Sequence, residues 1–531
     1  MEKHTDCIWI WLLASKCSTF SSQNAIFVSL FLCMVWLVMA LCFWTHPGGQ
    51  AWGKYYWRKR GARGTKPIPG PRGLPVIGSM NLMVKLAHRK LAASAKSFDA
   101  KRLMAFSLGD TRFVITCNPD VAKEILNSSV FADRPMNESA YNLMFNRAIG
   151  FAPYGVHWRT LRRIAATHLF CPKQISSTEE QRFHIATQMV SQVSCHGGET
   201  FPVRNIVNRA SLNHMMSTVF GRKYELSSSN NETEELIQLV KEGYDLLGKL
   251  NLSDHLAWLS GLDLQSIRLR CSKLVPKVNR FVNKIIQEHR IQSGEKRNRD
   301  FVDVLLSLSE PDRLSDQDIV AVLWEMIFRG TDAVAVLIEW ILARMVLHPD
   351  IQSKLHHELD QVVGRSRPLR ESDVQKMVYL PAVVKEVLRM HPPGPLLSWA
   401  RLSITDTTVD GYHVPAGTTA MVNMWAITRD PEVWVDPLKF MPERFVRKDG
   451  ADVEFSVLGS DLRLAPFGSG RRGCPGKELG LANVTFWVGS LLHEFEWMQP
   501  DLDNPVDLSE VLRVSCEMAK PLKVKARPRR G

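Results

Sequence analysis

Hydrophobic and polar positions divide the chain into two unequal parts. Residues 26–44 (IFVSLFLCMVWLVMALCFW) run nineteen positions without a charge, enough for about 28 Å of helix, close to the thickness of a hydrocarbon core. The stretch is apolar on every face and is followed by basic residues, so it reads as a membrane span and not as a core helix. It begins late, exceeds a signal-peptide h-region and ends in bulky residues with no small-x-small site, which predicts an uncleaved anchor. From residue 79 onward helical periodicity dominates. Short β-type pieces occur at 106–116, 407–414 and 418–422, the last two flanking Gly411 and Pro415 as hairpin-like turns would. No repeat and no long linker divides this body, so 79–531 is expected to be one large domain, mainly α with small β-sheets (α+β).

The longest periodic run follows Leu314, with Ser315 as N-cap and Asp318 at the third position, and continues to His348, where Pro349 stops it. That is about 50 Å of helix, enough to cross a domain. Its centre reads Phe328-Arg329-Gly330-Thr331-Asp332-Ala333-Val334. Gly330 should cost about 1 kcal/mol relative to Ala, and a buried Asp332 more unless it is paired. A close helix crossing and an exposed acid would also account for these two residues.

Composition and charge then narrow the class. With 45% hydrophobic and 23% charged residues the chain is neither disordered nor collagen-like nor a multi-span membrane protein. Its net charge of +13 suits an acidic partner or anionic lipid. No aromatic-interleaved basic motif or zinc-finger spacing points to nucleic acid. Ten cysteines lie scattered without a Cys-x-x-Cys pair, which indicates a reducing compartment. Between 45 and 66 there are six basic residues and no acidic one, whereas 1–25 holds Lys3 and Lys16 against Glu2 and Asp6. The positive-inside rule therefore puts residues 1–25 in the lumen as a short tail and the body in the cytosol, where the sequons at Asn137 and Asn231 stay unglycosylated. Residues 45–78 form a basic linker ending in a Pro-Gly-rich stretch, 66–78, that reads as a stiff hinge.

The strongest chemical signal is Phe467-Gly468-Ser469-Gly470-Arg471-Arg472-Gly473-Cys474-Pro475-Gly476, followed by an apolar helix from near Glu478. It contains a Gly-x-Gly-x-x-Gly, but a cysteine and a proline intervene before the helix, so a dinucleotide site is rejected. A cysteine in a glycine-rich loop before a helix can have its thiolate stabilised by backbone N–H groups. With no second ligand at zinc spacing, a lone thiolate suggests the axial ligand of haem. The pattern Phe467-x-x-Gly470-x-Arg472-x-Cys474-x-Gly476 resembles the haem-binding loop of cytochrome P450 monooxygenases.

The remaining motifs follow in that family's order. Glu386 and Arg389, by themselves an unremarkable i,i+3 surface pair on a helix that Pro381 could start, join Arg444 to resemble the family's Glu-x-x-Arg plus arginine triad. Trp158 and Arg162 resemble the helix that holds a haem propionate, and Arg401 and Arg472 match two further propionate positions. The strings Phe-Arg-Gly-Thr-Asp, Ser-Trp-Ala-Arg-Leu and Asn-Met-Trp-Ala-Ile-Thr-Arg-Asp look most like plant microsomal members of subfamily 78A. The resemblance implies haem b with Cys474 as axial thiolate, NADPH-cytochrome P450 reductase as electron donor, and the endoplasmic reticulum membrane as location. It also implies hydroxylation of a small lipophilic substrate such as a fatty acid, and a link to plant organ growth. Met326, Ile327, Phe328, Leu396 and Leu397 are candidates to line the pocket. The catalytic segment is Gly330-Thr331-Asp332-Ala333, and here the chain departs from the family, most members of which carry Thr where Ala333 stands. Thr331 or water would have to replace that alcohol. Two alternatives follow: a haem-thiolate isomerase or lyase of fatty-acid hydroperoxides, or a non-catalytic haem-binding membrane regulator. The uninterrupted cysteine loop and Asp332 favour the oxygenase.

Overall fold

The computed structural model describes residues 22–44, 46–58, 66–226, 231–292, 300–397, 400–447, 455–500 and 505–529. Most of the luminal tail, the basic residues Lys59, Arg60 and Arg63, and the first two residues of the Ser-Trp-Ala-Arg-Leu string lie outside these. The apolar run forms the helix Ser22–Trp44. Its window Ala25–Cys42 is entirely unburied, as suits a membrane span and not a core helix. Part of the expected linker is docked on the body. Gln50–Arg58 is a helix whose Trp52 is fully buried and donates its indole N–H to the Phe106 carbonyl at 2.7 Å. The Pro-Gly strip is likewise tied down, through Ala105 N–H to Pro69 O (2.9 Å) and Ser79 N–H to Ser107 O (2.7 Å).

The body is mainly helical, and its axis is the central helix Asp316–Leu347. Ser315 caps it, its hydroxyl accepting from the Asp318 N–H at 3.2 Å, and Pro349 opens the next helix, Pro349–Val362. The first half of the central helix packs with Val203–Phe220, Asn231–Gly248 and Ile267–Gln292 in one apolar core. Its second half packs with Tyr379–Met390 and Lys477–Glu494 in another. Such a helix is apolar nearly all round because it has partners all round. The helix bearing Glu386 begins at Tyr379, two residues before the expected Pro381 start, since proline fits any position of a first turn.

The sheets are small. The 106–116 piece is a hairpin, Met104–Leu108 with Thr111–Thr116, and its second strand pairs in parallel with Thr419–Val422, which pairs in turn with Arg401–Leu402. The 407–414 piece is a second hairpin, Thr407–Val409 with Tyr412–Val414. Near the C-terminus a third hairpin, Glu510–Leu512 with Cys516–Met518, brings its turn against the middle of the central helix.

Candidate functional site

Cys474 sits where the glycine-rich loop enters the helix Lys477–Glu494. Its N–H donates to the Phe467 carbonyl at 2.9 Å, closing the loop on itself. Gly470 has φ +67°, and a Cβ there would come within 2.1 Å of the Leu126 carbonyl, so only glycine fits. A Cβ on Gly476 would press Phe170 at 3.0 Å. The Cys474 sulfur faces an interior cavity, with about 260 Å³ open to the centres of water-sized molecules. Burial raises the thiol's pKa, while Arg329, a Gly476 backbone hydrogen bond, Arg162 and Lys477 pull it down.

Across the cavity lies the middle of the central helix. Gly330, Asp332 and Ala333 line the wall, but Thr331 does not. The Thr331 hydroxyl is buried on the other side, 3.5 Å from the Phe328 carbonyl and 3.5 Å from the Tyr244 hydroxyl. A Cβ on Gly330 would meet the Met215 sulfur at 2.4 Å, so this glycine does serve a close helix crossing, with Val203–Phe220. Asp332 is not the exposed surface acid of the bland alternative. It borders the cavity deep in the molecule, where burial pushes its carboxyl up to about 6, against the pull of the Ser515 hydroxyl and with Glu517, Arg204 and Arg513 nearby. Met326 and Leu397 line the cavity as expected, joined by Val334, Leu337 and Val484. Ile327, Phe328 and Leu396 are instead core residues, because they fall on helix and loop faces packed against neighbours.

The rest of the wall is cationic. Arg162 donates to the Gly473 carbonyl at 2.6 Å. Arg472 donates to the carbonyls of Ala132 (2.8 Å) and Ala152 (2.7 Å) and lies 4.3 Å from the centre of the Trp158 ring. Trp158 donates its indole N–H to Ile149 O at 3.0 Å. Arg401 donates to the Ser469 carbonyl at 3.1 Å and sits just behind the wall, still close enough to disfavour the charge of Arg472. Sequence reasoning missed Arg134, Glu325 and Arg329, which also line the cavity. Burial and the neighbours Arg401, Arg472 and Arg329 lower the Arg134 pKa. Arg329 lies 3.3 Å from Glu325, and Asp133 is 3.8 Å from Arg472. Five guanidiniums therefore meet two carboxylates around one thiol, a donor set that fits a dianionic, thiolate-ligated group such as haem.

Behind the loop, Glu386 and Arg389 form a fully buried bidentate pair at 2.8 Å on both arms. Arg444 adds a third contact at 3.1 Å, and Arg389 also reaches the carbonyls of Thr428 (2.6 Å) and Pro437 (2.8 Å). The surface-pair reading of Glu386 and Arg389 thus does not hold, since tertiary packing covers both. A second cysteine, Cys516, has His88 and Glu510 within 4.8 Å. That cluster carries its own cation: Arg89 lies 2.6 Å from Glu510, and Cys516 does not line the cavity.

Comparison with known proteins agrees with this geometry. The family model for cytochrome P450 matches residues 68–525. Cytochrome P450 78A9 of Arabidopsis thaliana is 67% identical over 98% of this chain and 97% of its own length. Cytochrome P450 78A3 of Glycine max is 64% identical over 100% of both chains. Flavonoid 3'-monooxygenase of Arabidopsis thaliana is 34% identical over 89% of this chain and 93% of its own length. A mainly helical body, a cysteine in a closed glycine loop and relatives of subfamily 78A along nearly the whole chain lead to one conclusion: this protein belongs to the cytochrome P450 family of haem-thiolate monooxygenases.

Proposed function

We propose that the chain is a membrane-anchored, NADPH- and dioxygen-dependent monooxygenase that hydroxylates a small lipophilic substrate of the fatty-acid kind, in the service of plant organ growth. The observation that carries this reading is that Cys474 and Asp332 open onto one cavity with an apolar side and a cationic side. Cys474 is the residue to hold the iron of haem b, with Trp158, Arg162, Arg401 and Arg472 on its propionates. Bound there, haem supplies the activation of dioxygen and insertion of one oxygen atom into a C–H bond. The overall change is RH + O2 + NADPH + H⁺ → ROH + H2O + NADP⁺.

The chain's own residues provide placement and protons. Met326, Val334, Leu337, Leu397 and Val484 form the apolar side, where an acyl chain is held and water is excluded. Asp332, with its carboxyl near 6, can give and regain a proton at neutral pH. Gly476 N–H, Arg162 and Lys477 favour the anionic form of Cys474. Electrons come from NADPH-cytochrome P450 reductase, toward which the +13 charge steers. The helix Ser22–Trp44 anchors the protein in the endoplasmic reticulum membrane with its body in the cytosol.

The deciding experiment incubates anchored recombinant protein with reductase, NADPH and a fatty-acid panel and identifies products by mass spectrometry. Hydroxylated acids made only with NADPH are the expected result. Conversion of fatty-acid hydroperoxides without NADPH would assign the isomerase instead, which Ala333 keeps as the second reading. No turnover of either class by haem-loaded protein would assign the regulator. In microsomes the body should be open to added protease, and protection together with a glycan at Asn137 would reverse the topology.

A further inference from the structure

We propose that Ser515, in the turn of the C-terminal hairpin, supplies the hydroxyl that relays protons between Asp332 and the cavity, in place of an alcohol on the central helix. This rests on the monooxygenase reading above. On the central helix beside Asp332, Gly330 and Ala333 bring no polar side-chain atom to the wall, and the Thr331 hydroxyl is turned away toward Phe328 O and Tyr244. Among the described residues that line the cavity only Tyr244 and Ser515 carry a hydroxyl. Tyr244 is committed to donating to the Phe328 carbonyl. Ser515 faces Asp332, and its hydroxyl pulls on the Asp332 carboxylate as a hydrogen-bond donor.

The turn that carries Ser515 is fastened from every side, as a relay needs. Arg513 N–H donates to the Ser515 carbonyl at 3.0 Å, and Cys516 N–H to Pro393 O at 2.8 Å. The Trp340 indole donates to Cys516 O at 3.0 Å, and Arg204 donates to Met518 O at 2.7 Å. Glu517 is held between Arg204 (3.3 Å) and Arg513 (3.2 Å). The charged and titratable groups around Asp332 are therefore Glu517 and Arg513 from the hairpin, Arg204 from Val203–Phe220, Tyr244 from Asn231–Gly248 and Arg329 from its own helix. Arg513 is 67% exposed, so the outer edge of this group reaches solvent. In each transfer the Asp332 carboxyl gives its proton to Ser515 Oγ while the Ser515 proton passes to the oxygen under reduction. Asp332 is then recharged from solvent, Ser515 ends unchanged, and the electrons are those of NADPH in the reaction written above.

The test uses the full chain in vesicles with reductase, NADPH and dodecanoate, and measures hydrogen peroxide released per NADPH. Ser515→Ala should raise that ratio about fivefold while the carbon monoxide band of the reduced haem is retained. Ser515→Thr should keep the wild-type ratio, and Ala333→Thr should restore it in the Ser515→Ala background. A second readout needs no turnover: the pH midpoint of the protonated Asp332 carboxyl in infrared difference spectra, identified by its loss in Asp332→Asn. Removing the donor should raise that midpoint by about one unit. If Ser515→Ala loses the carbon monoxide band, Ser515→Cys is read in its place. An unmoved peroxide ratio or an unmoved midpoint would overturn the relay. Failure of the monooxygenase reading would look different, as wild-type protein with no NADPH-dependent product, whereas the infrared midpoint still reports on the Ser515–Asp332 link.

Discussion

Two groups of buried arginines flank the cysteine loop, and they are balanced in opposite ways. Behind the loop, Arg389 and Arg444 converge on Glu386, and the spare donors of Arg389 end on backbone carbonyls. In front of it, Arg134, Arg162, Arg329, Arg401 and Arg472 gather with only Glu325 and Asp133 for carboxylates, so most of their positive charge meets neutral carbonyls. A closed network holds a protein together, because removing one partner strands the other. An unbalanced one stays costly until an anion arrives, and so marks a binding site.

The difference can be broken most completely at the thiol. Cys474→Ser should abolish the red-shifted Soret band of the reduced carbon monoxide complex, and an unchanged spectrum would end the assignment of Cys474. In the closed network, Glu386→Ala should lower stability by about 3–5 kcal/mol, read as a urea midpoint, because Arg389 is left charged and buried. Asp332→Asn should act the other way. The Asp332 carboxyl is raised from 3.8 to about 6 in the folded protein, so its contribution is full below pH 3.8 and is lost as pH rises through 6. Thermal unfolding should therefore find the Asn variant more stable than wild type by on the order of 2 kcal/mol at pH 7.5, and no more stable at pH 3.5. In the open group, Arg162→Gln should speed haem loss about tenfold while moving the urea midpoint of haem-free protein little, which Glu386→Ala cannot do. The smallest change is expected for Ala333→Thr, which should raise product formed per NADPH by about two- to threefold. Unchanged coupling in a wild type that releases negligible peroxide would mean that another hydroxyl already fills the role.

The closed network and the loop were legible in the sequence because their signals are local. Ser315 and Asp318 three residues apart marked a helix start, Pro349 its end, and Cys474 stood among glycines whose spacing has few other uses. What stayed hidden was whatever depends on distant segments meeting. Nothing around Arg134 distinguishes it from a surface arginine until the cavity closes around it. Ser515 is an ordinary turn serine until the hairpin docks beside Asp332. Glu386 and Arg389 at i,i+3 look the same exposed or covered, and only the packing of Met441 and Phe445 over them decides which. Thr331 shows the converse: one position from Asp332, it faces a different neighbour because each helical residue turns by about 100°.

The cavity wall draws on residues from Arg134 to Ser515, and it has no local version. A nascent chain leaving the ribosome carries the Cys474 loop before it carries the hairpin turn that faces Asp332. The chamber is therefore finished among the last events of synthesis, and any cofactor captured earlier would rest against an unfinished wall. Premature termination before residue 515 would leave a chain that still owns its cysteine loop but lacks one side of the chamber. A stop codon that late in the message would thus cost this enzyme far more than the few residues it removes.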